Sequence, residues 1–326
     1  MAQIKRTVLL TDHPWPDVEL EQALTEAAGH AFVAGPAKAQ AESQIEALVA
    51  RTDPSAILTC WAPVSRRAIE APTGLAVVSR IGVGLDNIDV PAATRRGTWV
   101  TNVPDYCVGE VSDHAIALLL SSLRGVTSAD RDVKAAGWHI PTYQAPRISE
   151  LTVAVVGYGR IGRETARKLR AFGCRVLVNG PHIAQAGIGE EIADRRAVQQ
   201  QADAIILHAP LVPETRAMID MQFIAGCARQ PLIVNVSRGG LIDNAALEAA
   251  LDTGAIRGAA LDVVDGEPDP PSSLLEHPRV VVTPHIAYRS VESMTELRRR
   301  ACEEALRVLA GEQPHSPCNN PRPSPK

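Results

Sequence analysis

The sequence predicts an α/β fold made of more than one unit, and three observations carry that expectation. Short β-branched and aliphatic runs alternate with Ala-rich segments along the chain, which is how parallel strands joined by crossover helices read. A strand-like run from Leu151 leads into Gly157-Tyr-Gly159-Arg160-Ile161-Gly162 and then a helical segment. The 326 residues are about twice the length of an ordinary domain, so two compact units are expected.

In the first part, residues 7–10, 56–59, 77–79 and 99–101 are β-branched or aliphatic runs of strand length, and 18–28 and 42–51 between them read as helices. From Val108 onward, Ile116, Leu119, Leu120 and Leu123 recur at spacings of three and four, so a helix with one apolar face is expected, placed to bridge two units. Residues 127–149 lose that periodicity and carry Gly137, Pro141 and Pro146, which predicts a loop or arm. Strands follow at 151–156, 174–178, 204–207, 232–236, 259–261 and 280–282, separated by segments of helix length. A last helix is expected from about 291 to 309. Residues 313–326 hold five prolines in 14 positions and are expected not to pack.

Lys plus Arg number 33 against 37 Asp plus Glu, a net charge of −4, which disfavours a nucleic-acid binder working by bulk charge. No run approaches the ~18 apolar residues that would span a bilayer. The six cysteines lie far apart, with no Cys-x-x-Cys pair and no zinc spacing, so a reduced cytoplasmic setting without a structural metal is expected. Cys60, Cys107, Cys174, Cys227 and Cys302 read as small buried hydrophobes, and Cys318 as exposed.

The glycine triplet is the sharpest local signal. In such a loop the first glycine makes a tight turn, the second lets backbone approach a pyrophosphate, and the third lets helix pack on strand. The helix N-terminus then offers unpaired N–H groups and partial positive charge to the phosphates. The acidic residue that holds the ribose hydroxyls in NAD-specific proteins, about 20 positions on, is missing. That strand ends at Asn179-Gly180-Pro181-His182. Gly180 removes a charge that would repel a 2′-phosphate, yet no Arg follows it to grip one. NAD(H) and NADP(H) both stay open, with Asn179 and His182 as candidate contacts beside the alternative of an indifferent neutral loop.

Three later segments place polar residues where a strand should end: Asn235-Val236-Ser237-Arg238, Asp262 to Glu267, and Thr283-Pro284-His285. In an open parallel sheet the carboxyl ends of strands line the ligand crevice, so the three can converge. Arg forks onto a carboxylate or polarises a carbonyl oxygen, His exchanges a hydroxyl proton, and a Glu beside it supports the imidazolium. Singly, each has a bland alternative: a surface charge, a turn residue and a core histidine. Their joint placement is what suggests hydride chemistry on a carbonyl.

With these residues in view, the sequence resembles the D-isomer-specific 2-hydroxyacid dehydrogenase family, phosphoglycerate dehydrogenase-like. The matching segments are Arg80-Ile-Gly-Val83-Gly84-Leu-Asp86-Asn-Ile-Asp89, Asn102-Val-Pro104, the glycine triplet, His208-Ala209-Pro210-Leu211 with Thr215, Asn235-Val-Ser-Arg238-Gly-Gly, Gly258-Ala-Ala-Leu-Asp262, Glu267-Pro and Pro284-His285. They run in the family's order from about residue 55 to 310. The resemblance implies two Rossmann-like domains, the cofactor domain (104–288) inserted into a flavodoxin-like substrate domain (1–103 and 289–312), with the active site in the cleft. It implies Arg238 on the substrate carboxylate and carbonyl, His285 as acid/base with Glu267 as partner, and the amides of Val83 and Gly84 at the carboxylate. Asp262 is implied near the nicotinamide amide, Arg160 and Ile161 at the pyrophosphate, and His208, Ala209, Pro210, Thr215, Val236 and Ser237 along the cofactor. A homodimer through the cofactor domains is implied, with the arm 138–147 as the contact.

Two details resemble the branch of the C-terminal binding proteins, which are dehydrogenase-like corepressors, and their bacterial relatives: Asn102-Val-Pro-Asp-Tyr-Cys-Val-Gly-Glu110, and His285-Ile-Ala-Tyr288-Arg289-Ser290. A cofactor-sensing binding protein is therefore the second reading. Trp61 and Tyr288 are candidate pocket walls, with ordinary packing as the equal alternative. Arg289 beside Arg238 would suit a small-molecule acid with two anionic groups; the alternative is a surface charge paired with Glu292. His114 reads as structural. Phosphite-oxidising relatives carry Lys in the loop 80–86, where this chain has Val83.

Overall fold

A computed structural model describes residues 5–138 and 144–321. It divides into two compact units, Met1–Tyr106 with Ser290–Lys326, and Cys107–Arg289. The chain thus leaves the first unit once and returns to it.

The first unit runs β1 (Thr7–Leu10), α1 (Glu19–Ala27), β2 (Ala31–Ala34), α2 (Glu42–Thr52), β3 (Ala56–Thr59), α3 (Arg66–Glu70), β4 (Val77–Arg80), α4 (Val90–Arg96) and β5 (Trp99–Thr101), and is completed by the returning helix α12 (Val291–Leu309). Its five parallel strands lie in the order β2-β1-β3-β4-β5. Leu9, Ile57, Val78 and Val100 form one register row across the sheet, and Ile45 and Val49 of α2 belong to the same buried cluster. α12 buries Leu297, Ala301 and Cys302, and Ser79 Oγ donates to the Ala301 carbonyl at 2.8 Å.

Two sequence expectations fail here. β2 was not expected: Ala-Phe-Val-Ala is only half-buried and becomes a strand by pairing with β1. Residues 313–321 do pack, contrary to their proline content. Cys318 N donates to the Val100 carbonyl at 2.8 Å, Val100 N donates to Asn319 Oδ1 at 2.8 Å, and the Asn319 amide donates to Thr94 Oγ1 and Thr98 O at 3.0 Å. β5 is an edge strand, and the tail satisfies backbone groups that would otherwise lack partners. Cys318 is accordingly half-buried against the unit's core, and burial pushes its thiol up to about 11. Residues 322–326 of the tail lie outside the described residues.

The second unit contains α5 (Val108–Arg124), α6 (Val126–Ala136), β6 (Thr152–Val156), α7 (Arg160–Ala171), β7 (Arg175–Asn179), β8 (Glu190–Ile192), α8 (Arg195–Gln201), β9 (Ala204–Leu207), α9 (Met221–Ala225), β10 (Leu232–Asn235), α10 (Asn244–Thr253), β11 (Gly258–Leu261), α11 (Ser272–Glu276) and β12 (Val280–Val282). Its seven strands are parallel in the order β12-β11-β10-β9-β6-β7-β8, a doubly wound sheet. Val155, Ile206, Val234, Ala260 and Val281 share one row. α5 buries Ala115, Ile116, Leu119 and Leu123 on one face and ends at Gly125 in a left-handed conformation (φ 62°). The expected loop from 127 is instead the helix α6 as far as Ala136; none of its residues is buried, so it shows no core-facing apolar period. Of the arm 138–147, residues 139–143 lie outside the described residues. β8, two glutamates and an isoleucine, was also not expected and is set by pairing with β7. No helix among the described residues is long and apolar enough to cross a membrane.

Candidate active site

In the second unit the chain order reverses between β6 and β9, so a crevice opens at the carboxyl ends of these strands. The glycine loop sits there. Gly157 has φ 97°, and a Cβ on it would lie 2.4 Å from Ala209 N and the His208 carbonyl carbon. A Cβ on Gly162 would lie 2.0 Å from the Gly157 oxygen, so this glycine is required for α7 to sit on β6. A Cβ on Gly159 would meet nothing within 4 Å: the space above it is open. α7 begins at that point without a side-chain cap, so the N–H groups of its first turn, at Arg160, Ile161 and Gly162, are left for a ligand. Open space beside a glycine and uncapped amides fit the pyrophosphate of a dinucleotide.

Of the other expected cofactor residues, His208 and Ala209 lie against Gly157 of the same loop. His208 shares a 2.9 Å hydrogen bond with Thr165 Oγ1; burial drives its pKa down to about 3, so the ring is neutral. Ser237 Oγ donates to the Ala209 carbonyl at 2.6 Å, Val236 is buried, and Thr215 Oγ1 donates to the Pro210 carbonyl at 2.6 Å while accepting from Val212 N at 2.9 Å. Pro210 itself is exposed. Asn179 is committed to the fold: its amide donates to the Ala193 carbonyl at 2.8 Å and its own carbonyl accepts from Gly157 N. Gly180 is half-buried and His182 exposed. A pairing invisible in the sequence joins this corner, because Tyr158 Oη donates to Glu190 Oε2 across 32 positions. Burial, and then that bond, push the phenol pKa above its ordinary value.

Arg238, Glu267 and His285 follow three adjacent strands. Asn235, Leu261 and Val282 share one register row at the ends of β10, β11 and β12, and the three side chains come a few residues later on their loops. Two strand spacings, about 10 Å, separate the outer two strands. Asn235 is fully buried; its amide donates to the Arg238 carbonyl at 2.8 Å and its Oδ1 accepts from Ser237 N at 3.1 Å, which fixes the turn carrying Arg238. A Cβ on Gly239 would lie 2.2 Å from Asp265 N, so the Arg238 loop runs directly against the Glu267 loop. His285 Nδ1 and Glu267 Oε1 are 2.8 Å apart. The Tyr288 ring lies edge-on to the His285 ring at 6.2 Å. Arg289 is exposed.

His285 has φ 53°, a left-handed conformation that a non-glycine residue adopts only when its surroundings impose it. Asp262 imposes it. The Asp262 carbonyl accepts from His285 N at 2.8 Å, while its carboxylate accepts from Ile286 N and Ala287 N at 2.9 Å and from Thr283 Oγ1 at 2.6 Å. Thr283 Oγ1 has spent its one proton there, so its 2.9 Å bond to His114 Nε2 has the histidine as donor. Burial raises the Asp262 pKa, but these hydrogen bonds, His114 and Thr283 foremost, outweigh it and hold the carboxyl below its ordinary range. Asp262, expected at the nicotinamide amide, is 2% exposed, with both its oxygens bound to the His285 loop or the side chains behind it.

Trp61, Val83 and Gly84 belong to the first unit. The Asn102 amide donates to the Val83 carbonyl at 2.7 Å, and the Asp12 carboxylate takes Trp61 N at 2.7 Å and Cys60 N at 3.0 Å. Arg80, not singled out as a site residue, is buried at the end of β4 with its guanidinium 5.3 Å from the Trp61 ring centroid.

Fold and site define a class: a doubly wound dinucleotide-binding unit with an Arg, Glu and His set at one end of its sheet, inserted into a second α/β unit. Residues 116–287 match the family model for the D-isomer specific 2-hydroxyacid dehydrogenase NAD binding domain. Curated relatives include D-3-phosphoglycerate dehydrogenase of Mycobacterium leprae, 38% identical over 252 residues, 76% of this chain and 48% of the relative. The chain thus spans about half the length of the curated relatives it matches. Among solved structures, a Thermus thermophilus protein aligns with TM-score 0.87 and 28% identity over 96% of this chain and 100% of its own. A glyoxylate reductase from Paecilomyes thermophila aligns with TM-score 0.87 and 25% identity over 97% and 98%. The chain belongs to the D-isomer specific 2-hydroxyacid dehydrogenase family, and its second unit is the family's nicotinamide-dinucleotide domain.

Proposed function

We propose that this chain is a nicotinamide-dependent oxidoreductase that interconverts a 2-oxo acid and the D-2-hydroxy acid. The observation that carries the reading is the 2.8 Å contact of His285 Nδ1 with Glu267, on loops next to the one bearing Arg238. With Nδ1 held by a carboxylate, Nε2 is the ring atom that gives a proton to the forming C2 alkoxide or takes it back. Glu267 offsets the positive charge of the imidazolium. Arg238 forks onto the substrate carboxylate and polarises the C2 carbonyl. A bound nicotinamide supplies hydride to C2, or accepts it in the reverse direction.

The left-handed His285 backbone supports this assignment, since strain of that kind is kept where a side chain must point one way. Tyr288, edge-on to His285, walls the substrate, and exposed Arg289 suits an acid with a second anionic group. The name of the curated relatives, D-3-phosphoglycerate dehydrogenase, supports a phosphorylated acid of that kind, and the glyoxylate reductase supports a small 2-oxo acid. A homodimer through the second unit is proposed on the exposed side of α6 and at Trp138 just beyond it, where Val126, Val133 and Trp138 are 57%, 38% and 89% exposed.

The test is oxidation of NADH and NADPH, followed by loss of reduced-nicotinamide absorbance, against a panel of mono-anionic and phosphorylated 2-oxo acids. Turnover with a member of the panel supports the reading; tight cofactor binding without turnover on any would favour a cofactor-sensing binding protein. Arg289→Ala should lower kcat/KM more on di-anionic acids, and an equal loss on both classes removes Arg289 from the pocket.

A further inference from the structure

We propose that the adenosine end of the cofactor site is built for a 2′-phosphorylated dinucleotide, NADP(H), and that Arg163 is the residue that selects it. This rests on the dinucleotide reading above. The sequence left the question open because no cation follows Gly180; the structure brings one from another element.

Gly180 ends β7 where the ribose-binding carboxylate would otherwise stand. A Cβ built on it would lie 3.6 Å from Tyr158 N, so Gly180 and the glycine loop are neighbours. Arg163, from the first turn of α7, stands against the same Tyr158. Its guanidinium carbon is 4.7 Å from the Tyr158 ring centroid, and its Nε donates to the Tyr158 carbonyl at 3.3 Å. Stacking and that bond restrict an exposed arginine that would otherwise sample many rotamers, and leave a planar cation presented over Tyr158, the residue whose backbone N neighbours Gly180.

Tyr158 is itself fixed. Its hydroxyl donates to Glu190 and accepts from Gly187 N at 3.0 Å. Two carboxylates lie near this corner: Glu190 is 2% exposed in its side chain, bonded to Tyr158 and to Gly187 N and ion-paired with Arg170 at 3.4 Å, and Asp194 accepts from Ala197 N at 2.7 Å as the cap of α8. A 2′-phosphate over Gly180 that reaches across Tyr158 would meet the Arg163 cation, while the Glu190 charge beneath it is buried and paired. An unphosphorylated ribose would meet the same corner without a carboxylate to bind its hydroxyls. Both halves of the argument favour the phosphorylated form.

The experiment is equilibrium binding to the full chain, by calorimetry, of NADPH and NADH and of the fragments adenosine 2′,5′-bisphosphate and 5′-AMP. The wild-type chain should bind NADPH and the bisphosphate about 10- to 100-fold more tightly than their unphosphorylated counterparts, the range of one charged hydrogen-bonding pair. Arg163→Ala should remove that difference while leaving NADH affinity within about threefold, Arg163→Lys should restore part of it, and Gly180→Asp should invert it. Equal wild-type affinities for NADH and NADPH, or an Arg163→Ala loss equal for both, would overturn the proposal while leaving the dinucleotide reading intact. Failure of all four probes to bind would overturn the dinucleotide reading and this inference with it.

Discussion

Replacing Asp262 with Asn asks how firmly His285 is held. The side chain is 2% exposed and accepts from Thr283 Oγ1 at 2.6 Å, Ile286 N at 2.9 Å and Ala287 N at 2.9 Å. Asparagine keeps the shape but turns one oxygen into a donor, so whichever way the amide faces, a backbone N–H meets another N–H. One hydrogen bond to a charged acceptor, about 1.5–3 kcal/mol, is lost, and the buried donor left unpaired costs about 1–3 kcal/mol more. A loss of at least ~2.5 kcal/mol in a unit of roughly 180 residues corresponds to a fall in Tm of about 5–10 °C. The same bonds oppose the strain at His285, worth about 1–2 kcal/mol at φ 53°. Once they are gone the ring should move, and a displacement of about 1 Å lowers kcat about 100-fold. Scanning calorimetry and steady-state turnover on the same preparation test both numbers. A Tm within about 1 °C of wild type with kcat intact would refute the assignment of Asp262 as the residue that holds the loop.

Burial keeps His208 neutral in the folded state down to about 3, whereas the unfolded chain protonates it near 6.5. The unfolded state binds the extra proton between those values, so this residue's contribution is complete above 6.5 and is lost as pH falls toward 3. By about pH 4 the loss is on the order of 3 kcal/mol, less to the extent that His208 is partly exposed, and urea unfolding of His208→Gln should show a flatter acid limb than wild type; parallel limbs would contradict it. Gly159→Ala should weaken dinucleotide binding at least about tenfold with Tm unchanged, because its Cβ would enter the open space above α7 and touch no protein atom. Gly162→Ala should instead lower Tm, since its Cβ would lie 2.0 Å from the Gly157 oxygen; the two variants behaving alike would refute the division of roles. Asn319→Ala removes a side chain that bridges β5 and α4 and should raise hydrogen exchange at Val100 N well above wild type, and unchanged protection there would show that the tail does not close the edge.

What could be read from the sequence was what repeats locally. Central strands such as Val153 to Val156 and Leu232 to Asn235 are continuous apolar runs because both faces of a parallel sheet are covered, and the glycine triplet announces itself by spacing. That Arg238, Glu267 and His285 lie on neighbouring loops was legible because each follows a strand end, and the register row of Asn235, Leu261 and Val282 makes those ends neighbours. β2 and β8 escaped because an edge strand is half-solvated and takes its conformation from its partner. α6 escaped because a helix with no buried residue has no core-facing stripe. The roles of Asp262, His114 and Glu190 were hidden because they depend on side chains meeting across 21, 169 and 32 positions, a matter of topology rather than pattern.

The central claim, that His285 exchanges the substrate proton in a nicotinamide-dependent reaction, is tested most directly by His285→Ala. With the 2-oxo acid that gives the best wild-type turnover, kcat should fall at least about 100-fold while the affinity for reduced cofactor, measured by calorimetry, changes less than about threefold. Turnover that survives the substitution with cofactor affinity intact would contradict the assignment of His285 and the mechanism built on it.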